Sequence, residues 1–258
     1  MAQKLQAAKD GFVEGQQKLG KFSIDIAAGA NKIDIKVTGA SAHGSRPEEG
    51  VNPVPRLTLF LQQALLAQGD AKPLLRRNQY TEAARYINGV YGLDYFGNAL
   101  KLAYADDFMG PLTISPNFIK PGNGQLEVTA NARMPRGKSP EQLKAEVEKG
   151  IAGWSAAAQV PVKIEYTQGN WMARDPKGAW LSTLLNIFGD TTGLDAKPVP
   201  TAGSTTAKLM PNAINFGPAM PGKKYTAHNA LEYQELGDLR TDMQMFTEML
   251  VRIGNLQQ

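Results

Sequence analysis

The sequence predicts an α/β protein, built from a ferredoxin-like βαββαβ unit followed by the C-terminal part of a second α/β unit. Three observations predict this class. Alternating apolar residues indicate strands, apolar residues three and four positions apart indicate helices, and the two patterns follow one another in a defined order. From residue 32 that order is strand, helix, strand, strand, helix, strand, the split βαβ arrangement. The predicted domains are residues 1–168, with an insertion at about 70–110, and residues 169–258.

The first unit begins with a helix and two strands. Residues 2–18 follow a polar helical pattern, whereas residues 21–27 and 32–37 alternate apolar and polar side chains, as strands do. Residues 53–66 form the next helix, and the insertion contains another near 79–88. The apolar face predicted for the helix at 53–66 consists of Leu57, Leu61, Ala64 and Leu65.

The second half of this unit is predicted as a hairpin, a helix and a strand. The strands 112–120 and 125–134 flank Asn123-Gly124, and Asn-Gly is a strong hairpin signal. Ser139 is the expected N-cap of the following helix, with Pro140 at its first position and Gln142 completing a capping box. The apolar stripe of this helix consists of Leu143, Val147, Ile151 and Trp154, and residues 162–166 form the last strand.

The second unit alternates helices with short apolar strands, which favours a parallel α/β sheet. Helices are predicted at 177–188 and 236–253, strands at 197–201 and 213–216, and one or two helical turns at 205–210. The stripe of the last helix consists of Leu236, Leu239, Met243, Phe246, Leu250 and Ile253. Two or three strands make a poor independent domain, so this unit is predicted to be the end of a larger one.

Composition narrows the classes of function. The 258 residues are 42% hydrophobic, carry a net charge of +4 and include no cysteine, which excludes disulfides and thiolate chemistry. The tightest basic pairs, Arg76-Arg77 and Lys223-Lys224, are too short for a nucleic-acid surface. No apolar run reaches the ~18 residues of a membrane span. The polar N-terminus does not resemble a signal peptide, and the composition leaves cytoplasm and periplasm equally open.

The chain has two histidines, and each lies in a dense local motif. His43 lies within Ser-Ala-His-Gly-Ser-Arg-Pro-Glu-Glu-Gly-Val-Asn at 41–52, and His228 follows a Gly/Pro-rich segment. Histidine is the commonest metal ligand and a frequent proton carrier near neutral pH. Asp106-Asp107 is a further acidic pair, for which solvation is a better interpretation than metal binding.

Four motifs together resemble the di-zinc exopeptidases, a family that includes PepV-type bacterial dipeptidases, carboxypeptidase G, aminoacylases and succinyl-diaminopimelate desuccinylase. They lie at 41–52, 109–113, 131–135 and 211–232, in the order of the family. The resemblance covers nearly all of residues 20–255. It implies that residues 1–168 are the lid, or dimerisation, domain and that residues 169–258 belong to the catalytic domain.

The resemblance also implies roles for individual residues. His228 matches the last zinc ligand, and His43 matches the lid histidine that stabilises the oxyanion, from the partner subunit in dimeric members. Arg133 matches the arginine that binds the substrate's C-terminal carboxylate, for which a guanidinium fork is suited. The loop Gly203-Ser204-Thr205 matches a substrate-contacting loop. Simpler interpretations remain open, because Arg133 is also explained as a surface-paired strand residue and Ser204 as a helix cap.

The departures from the family pattern are large. The chain contains no His-x-Asp pair, and the family's general-base glutamate and most zinc ligands have no counterpart. A catalytic zinc needs about three protein ligands, so a full site is not expected in this chain alone. Asn131 replaces the usual aspartate of the strand motif, and Asn229 replaces the usual glutamine after the last ligand.

Three interpretations therefore compete. The chain is part of a two-zinc dipeptidase shortened by design or proteolysis, or a standalone lid-type dimerisation protein, or a carboxylate-binding module without catalysis. The first predicts a small peptide substrate with a free carboxylate, and either a homodimer through the lid or a partner that supplies the N-terminal catalytic half. It also predicts exposed apolar surface in residues 169–258, and therefore self-association or a covering partner.

Overall fold

The computed structural model describes residues 2–16, 20–66, 72–122, 124–201, 203–217, 219–223, 226–227 and 231–256. These residues combine helices and strands, as the sequence predicts. The chain divides into two compact units, residues 1–171 and residues 172–258. Within the described residues, no helix is both long and apolar enough to span a membrane.

The N-terminal part of the first unit follows the prediction closely. It comprises α1 (Ala2–Gly15), β1 (Ser23–Ala28), β2 (Ile33–Thr38) and α2 (Pro53–Phe60), which continues as a π-helical turn over Leu61–Leu65. The two strands pair as an antiparallel hairpin. Their apolar residues pack with α1 and α2 around a core of Leu5, Phe12, Ile24, Phe60 and Leu65.

The inward face of this helix, α2 with its π-helical turn, agrees in part with the prediction, because Leu65 is buried and Leu61 and Ala64 pack against the core. Phe60 is fully buried, whereas Leu57 and Leu61, which the spacing placed on the inner face, are only half-buried. The ring of Phe60 contacts that of Phe12 edge-on, with centroids 5.3 Å apart. A large aromatic ring buries more apolar area than leucine, and this contact explains why α2 turns Phe60 inward.

The rest of the first unit contains α3 (Gln79–Val90), the short strands β3 (Ala105–Asp106) and β4 (Gly110–Pro111), the long strands β5 (Thr113–Gly122) and β6 (Gln125–Arg133), and α4 (Pro140–Ala158). The predicted capping box is present at the start of α4. The Ser139 hydroxyl accepts from the Gln142 amide at 3.2 Å, and the Gln142 side chain accepts from the Ser139 amide at 2.8 Å. Leu143, Val147 and Ile151 are buried in the core as predicted.

The four-stranded ferredoxin-like sheet is not confirmed. The described strands form three two-stranded antiparallel sheets, β1–β2, β3–β4 and β5–β6. Residues 162–166 form no strand, although Val162, Ile164 and Tyr166 are half-buried against the core and the residues between them are exposed. The alternating pattern therefore identified which side chains face the core. The same pattern does not specify which strand these residues would pair with through backbone hydrogen bonds.

The second unit contains α5 (Ala179–Thr192), a 3-10 turn (Thr206–Leu209) and α6 (Leu236–Gly254). No strand occurs among its described residues, so the parallel sheet predicted from 197–201 and 213–216 is absent there. Ile214 and Phe216 nevertheless pack against the core that α5 and α6 share. A short apolar run is consistent with burial in a strand or in irregular structure, and here it is irregular.

The face of α6 that packs inward overlaps the predicted stripe at Ile253 but otherwise differs from it. Met245, Met249 and Ile253 face α5, whereas most of the predicted stripe is exposed. The exposed residues of that stripe are Leu236, Leu239, Met243, Phe246 and Leu250. This exposed apolar surface agrees with the expectation that residues 169–258 leave apolar side chains uncovered.

Candidate functional site

His43 lies in a loop that its own ends hold closed. The loop runs from Ala40 to Val51, whose backbones exchange two hydrogen bonds of 3.1 and 2.8 Å. Two glycines permit this closure, because a Cβ at Gly39 would lie 1.8 Å from the Val51 carbonyl oxygen and one at Gly50 would lie 2.7 Å from that of Ala40. The close approach of the backbone therefore requires glycine at positions 39 and 50.

The imidazole of His43 is half-buried and contacts Ser45 twice. Its Nδ1 lies 2.7 Å from the Ser45 hydroxyl oxygen and accepts a hydrogen bond from the Ser45 amide at 3.2 Å. Ser45 is buried, with 6% of its surface exposed. The amide of Arg46 donates to the His43 carbonyl at 2.8 Å, which tightens the same turn. The side chain of His43 is thus oriented by its own loop.

Asn52 connects this loop to β5. Its side-chain oxygen caps α2 by accepting from the Val54 amide at 2.9 Å. Its side-chain nitrogen donates to the Ser115 hydroxyl at 2.9 Å and to the Pro116 carbonyl at 2.7 Å. Sequence reasoning gave Asn52 no role. Its position immediately before a helix beginning with Pro53 is the signal that identifies it as a cap.

Arg133 ends β6 within a small group of polar side chains. It pairs with Thr113 across the hairpin, and Asn131 pairs with Ser115. Residues two apart on a strand share a face, so these four side chains lie on one face of β5–β6, and Asn52 reaches the same face through Ser115. Thr113 and Ser115 are buried, with 5% and 4% of their surfaces exposed.

Two polar atoms in this group have no hydrogen-bond partner. They are Nε of Arg133 and Oδ1 of Asn131, both buried. Within the part of the chain that the structure describes, no ion pair to Arg133 is found. Buried polar atoms normally have partners, and exceptions often mark a site that an ion, water or ligand completes. The arrangement is suited to an anionic group that accepts from the guanidinium.

The neighbouring Arg136 is occupied by an internal partner. Its Nε and Nη2 donate to the two carboxylate oxygens of Asp106, each at 3.0 Å. Asp106 also accepts from the Met109 amide at 2.7 Å. The Arg136 hydrogen bond is the main cause that lowers the pKa of Asp106. The interpretation of Asp106 as a solvated carboxylate is therefore wrong, because it closes a turn and pairs with Arg136, while Asp107 is exposed.

In the second unit, the loop Gly203-Ser204-Thr205 uses most of its polar groups internally. The Gly203 amide donates to the Thr201 hydroxyl at 3.2 Å, and the Thr205 hydroxyl donates to the Asn215 side chain at 2.7 Å. Thr205 also caps the 3-10 turn, by accepting from the Ala207 amide at 3.3 Å. The cap is therefore Thr205 and not Ser204, whose side chain is exposed.

The predicted zinc ligand His228 lies outside the described residues, as does Asn229. Among the residues that are described, no three His, Asp or Glu side chains converge to form a metal site. Asp242 on α6 is an acidic residue that sequence reasoning missed. It is 2% exposed, accepts from Gln234 at 2.6 Å through one oxygen, and has no partner for the other. Burial raises the pKa of its carboxyl.

Comparison with protein families defines the class. Residues 27–153 match the family model of the peptidase dimerisation domain of the M20 type. This region includes the His43 loop and the strand that carries Arg133. This part of the chain is therefore similar to the lid, or dimerisation, domain of M20 peptidases, as its motifs indicated.

The similar proteins are dipeptidases by name. The chain is 26% identical to the Beta-Ala-Xaa dipeptidase of Lactobacillus delbrueckii subsp. lactis over 248 residues, which cover 95% of this chain and 48% of that protein. It is 22% identical to the putative dipeptidase YtjP of Bacillus subtilis over 224 residues, covering 86% of this chain and 44% of that protein. A putative dipeptidase of Staphylococcus saprophyticus is 25% identical over 227 residues, which cover 85% of this chain and 44% of that protein. The chain spans about half the length of the curated relatives it matches.

Proposed function

We propose that this chain is the lid domain and the C-terminal catalytic segment of a zinc-dependent dipeptidase, and that it is inactive alone. Its similarity to dipeptidases over 95% of its length supports the peptidase class. The observation that carries the substrate assignment is Arg133, a partly buried guanidinium whose Nε has no partner. Because Arg136 is already paired with Asp106, Arg133 is the arginine at this end of β6 that remains available to a substrate.

In this proposal, the C-terminal carboxylate of a small peptide accepts hydrogen bonds from Arg133. A charge-assisted pair of this kind is stronger than a neutral hydrogen bond, and the planar fork fixes the orientation of the carboxylate. Asn131 and Ser115 lie on the same face, where their polar groups can contact the same end of the peptide. Substrates with a free carboxylate are thereby preferred over amides.

His43 is proposed to donate a hydrogen bond to the oxygen that becomes negative as the peptide carbonyl is attacked. Removal of one such donor in comparable sites costs about 2.7–4 kcal/mol of transition-state stabilisation. In the second unit, Ser204 is the proposed loop residue that contacts substrate, because Gly203 and Thr205 are engaged internally. His228 is the proposed zinc ligand of this chain. Its described residues do not supply the other ligands, which we assign to polypeptide outside it.

The substrate assignment is tested by calorimetric titration of the chain with a dipeptide and with the same dipeptide amidated at its C-terminus. We expect the free carboxylate to bind more tightly, and Arg133→Ala to remove the difference. Arg46→Ala is the matched control, because Arg46 is an exposed arginine close to His43 that forms an ion pair with Glu49. Equal binding of the two peptides, or an Arg133→Ala variant that still distinguishes them, would contradict the proposed role.

One feature favours the alternative of a lid-type dimerisation module without catalysis. Residues 162–166 bury alternate side chains as a strand does but pair with none of the strands in the described part of the chain. An unpaired edge of this kind is able to extend a sheet across two subunits. Homodimerisation through the lid is compatible with both functions. Dimerisation without zinc binding or hydrolysis, even when the missing half is supplied, would favour the alternative.

A further inference from the structure

The inference concerns Ser45, the buried residue two positions after His43. Its backbone amide donates to His43 Nδ1 at 3.2 Å, and its hydroxyl oxygen lies 2.7 Å from the same nitrogen. Both contacts come from one residue whose surface is 6% exposed. The ring nitrogen that faces the loop is therefore specified by the loop.

The direction of the amide contact determines where the ring proton lies. A backbone N–H donates and cannot accept, so Nδ1 of His43 must be the acceptor. In a neutral imidazole one nitrogen accepts and the other carries the proton. We infer that Ser45 is a positioning residue that holds His43 as the tautomer protonated at Nε2. The Ser45 hydroxyl then also donates to Nδ1.

The surrounding loop makes this arrangement rigid. The double hydrogen bond between Ala40 and Val51 closes the loop, and the Arg46 amide holds the His43 carbonyl. Because Ser45 is buried, its hydroxyl has little water with which to exchange its hydrogen bond. The ring therefore keeps one orientation, with Nε2–H as its donor. This donor serves the oxyanion role only if the proposed function holds, whereas the tautomer itself does not depend on that function.

Nitrogen NMR of the chain labelled with ¹⁵N-histidine tests the tautomer directly. The chain has only two histidines, so a His228→Gln background leaves the two ring nitrogens of His43 alone in the spectrum. We expect Nδ1 to show the shift of an unprotonated nitrogen and Nε2 that of a protonated one, at a pH where the ring is neutral. A substantial population protonated at Nδ1 would overturn the inference.

Free imidazole side chains also favour protonation at Nε2, so variants must show that Ser45 is responsible. Ser45→Ala keeps the amide contact of 3.2 Å but removes the shorter hydroxyl contact of 2.7 Å. Because one of the two donors to Nδ1 is lost, we expect its ring shifts to move part of the way towards those of a free imidazole. Ser45→Thr restores the hydroxyl and should restore the wild-type shifts. Ser41→Ala is the matched control, because Ser41 is exposed in the same loop. Identical ring shifts in wild type and a folded Ser45→Ala variant, checked by its amide spectrum, would refute the role of the Ser45 hydroxyl, and protonation at Nδ1 would refute that of its amide.

In the complete enzyme, Ser45→Ala should lower kcat about tenfold with little change in KM. A loss of this size is typical when a residue that hydrogen-bonds to a histidine of a site is removed. Ser45→Thr should recover most of that loss. The failure of this inference and that of the proposed function are distinguishable. The ring shifts report the tautomer in the chain itself, whereas zinc binding and peptide hydrolysis report the peptidase function.

Discussion

Gly89 of α3 lies against Trp154 of α4, and Gly89→Ala tests that packing. A Cβ at this position would lie 2.1 Å from Nε1 of Trp154 and 2.8 Å from its Cδ1. The indole has little room to move, because it packs edge-on against Tyr86 with centroids 5.2 Å apart and contacts the core. Residues of both helices belong to the core that also contains residues of β5 and β6.

Two opposing effects determine how Gly89→Ala changes the free energy of unfolding. Replacing glycine by alanine in a helix normally stabilises by about 1 kcal/mol. Inserting a carbon into a packed core costs about 1–3 kcal/mol, and an approach as short as 2.1 Å to a rigid ring places this case at the upper end. We therefore expect Gly89→Ala to lower the free energy of unfolding by about 2 kcal/mol.

The assay is urea unfolding followed by tryptophan fluorescence, with the transition of the first unit compared between variants. Gly153→Ala is the matched control on α4, because no atom lies within 4 Å of the Cβ that it adds. That variant should gain up to about 1 kcal/mol. If Gly89→Ala proves as stable as Gly153→Ala, the close helix packing described above is wrong.

Three further predictions follow from the polar contacts. Asn52→Ala removes both the cap of α2 and the link to β5, and should lower stability by about 2 kcal/mol in the same unfolding assay. Asp242→Asn should raise the Tm at pH 7 but not at pH 3. Burial raises the pKa of Asp242 in the folded state. Its carboxyl therefore destabilises the fold increasingly as the pH rises from the unfolded pKa through the folded one. Equal gains in Tm at both pH values would be inconsistent with this cause. Arg136→Ala should make the protein less stable at neutral pH and less sensitive to acid. The folded pKa of Asp106 is lowered chiefly by Arg136, so the stability this pair provides is present above the unfolded pKa and is lost as the pH falls through the folded one. Unchanged acid unfolding of Arg136→Ala would show that the pair contributes nothing.

The helices were predictable because their signals are local. Ser139, Pro140 and Gln142 specify the start of α4 within one turn, and α4 begins at Pro140. The hairpins β1–β2 and β5–β6 were predictable for the same reason, since short connections join strands that alternate clearly. Caps, turns and periodicity act over a few residues and are therefore visible in a single sequence.

Pairing and packing over longer distances were not predictable. Residues 162–166 bury the expected side chains without joining a sheet, because alternation specifies a face and not a partner. On α6 most of the predicted stripe is exposed and Met245 lies inside, because both faces of the helix carry apolar residues and only packing against α5 selects between them. The role of Asp106 depends on Arg136, thirty residues away.

The candidate site was predictable as motifs and not as contacts. His43 and Arg133 were both identified from the sequence, and the structure places both in the first unit, where Asn52 links the His43 loop to β5. Neither the contact of His43 with Ser45 nor the unpartnered Nε of Arg133 follows from spacing, because each depends on side-chain orientation. The functional roles of His43, Arg133 and His228, and of the loop 203–205, remain predictions.

Zinc bound per chain, measured by elemental analysis after zinc saturation and dialysis, tests most directly whether this chain holds only part of an active site. We expect essentially no retained zinc and no hydrolysis of dipeptides, because one histidine ligand does not hold a catalytic zinc, which needs about three protein ligands. Two zinc ions per chain, accompanied by dipeptide hydrolysis, would contradict the proposal that the remaining ligands come from polypeptide outside this chain.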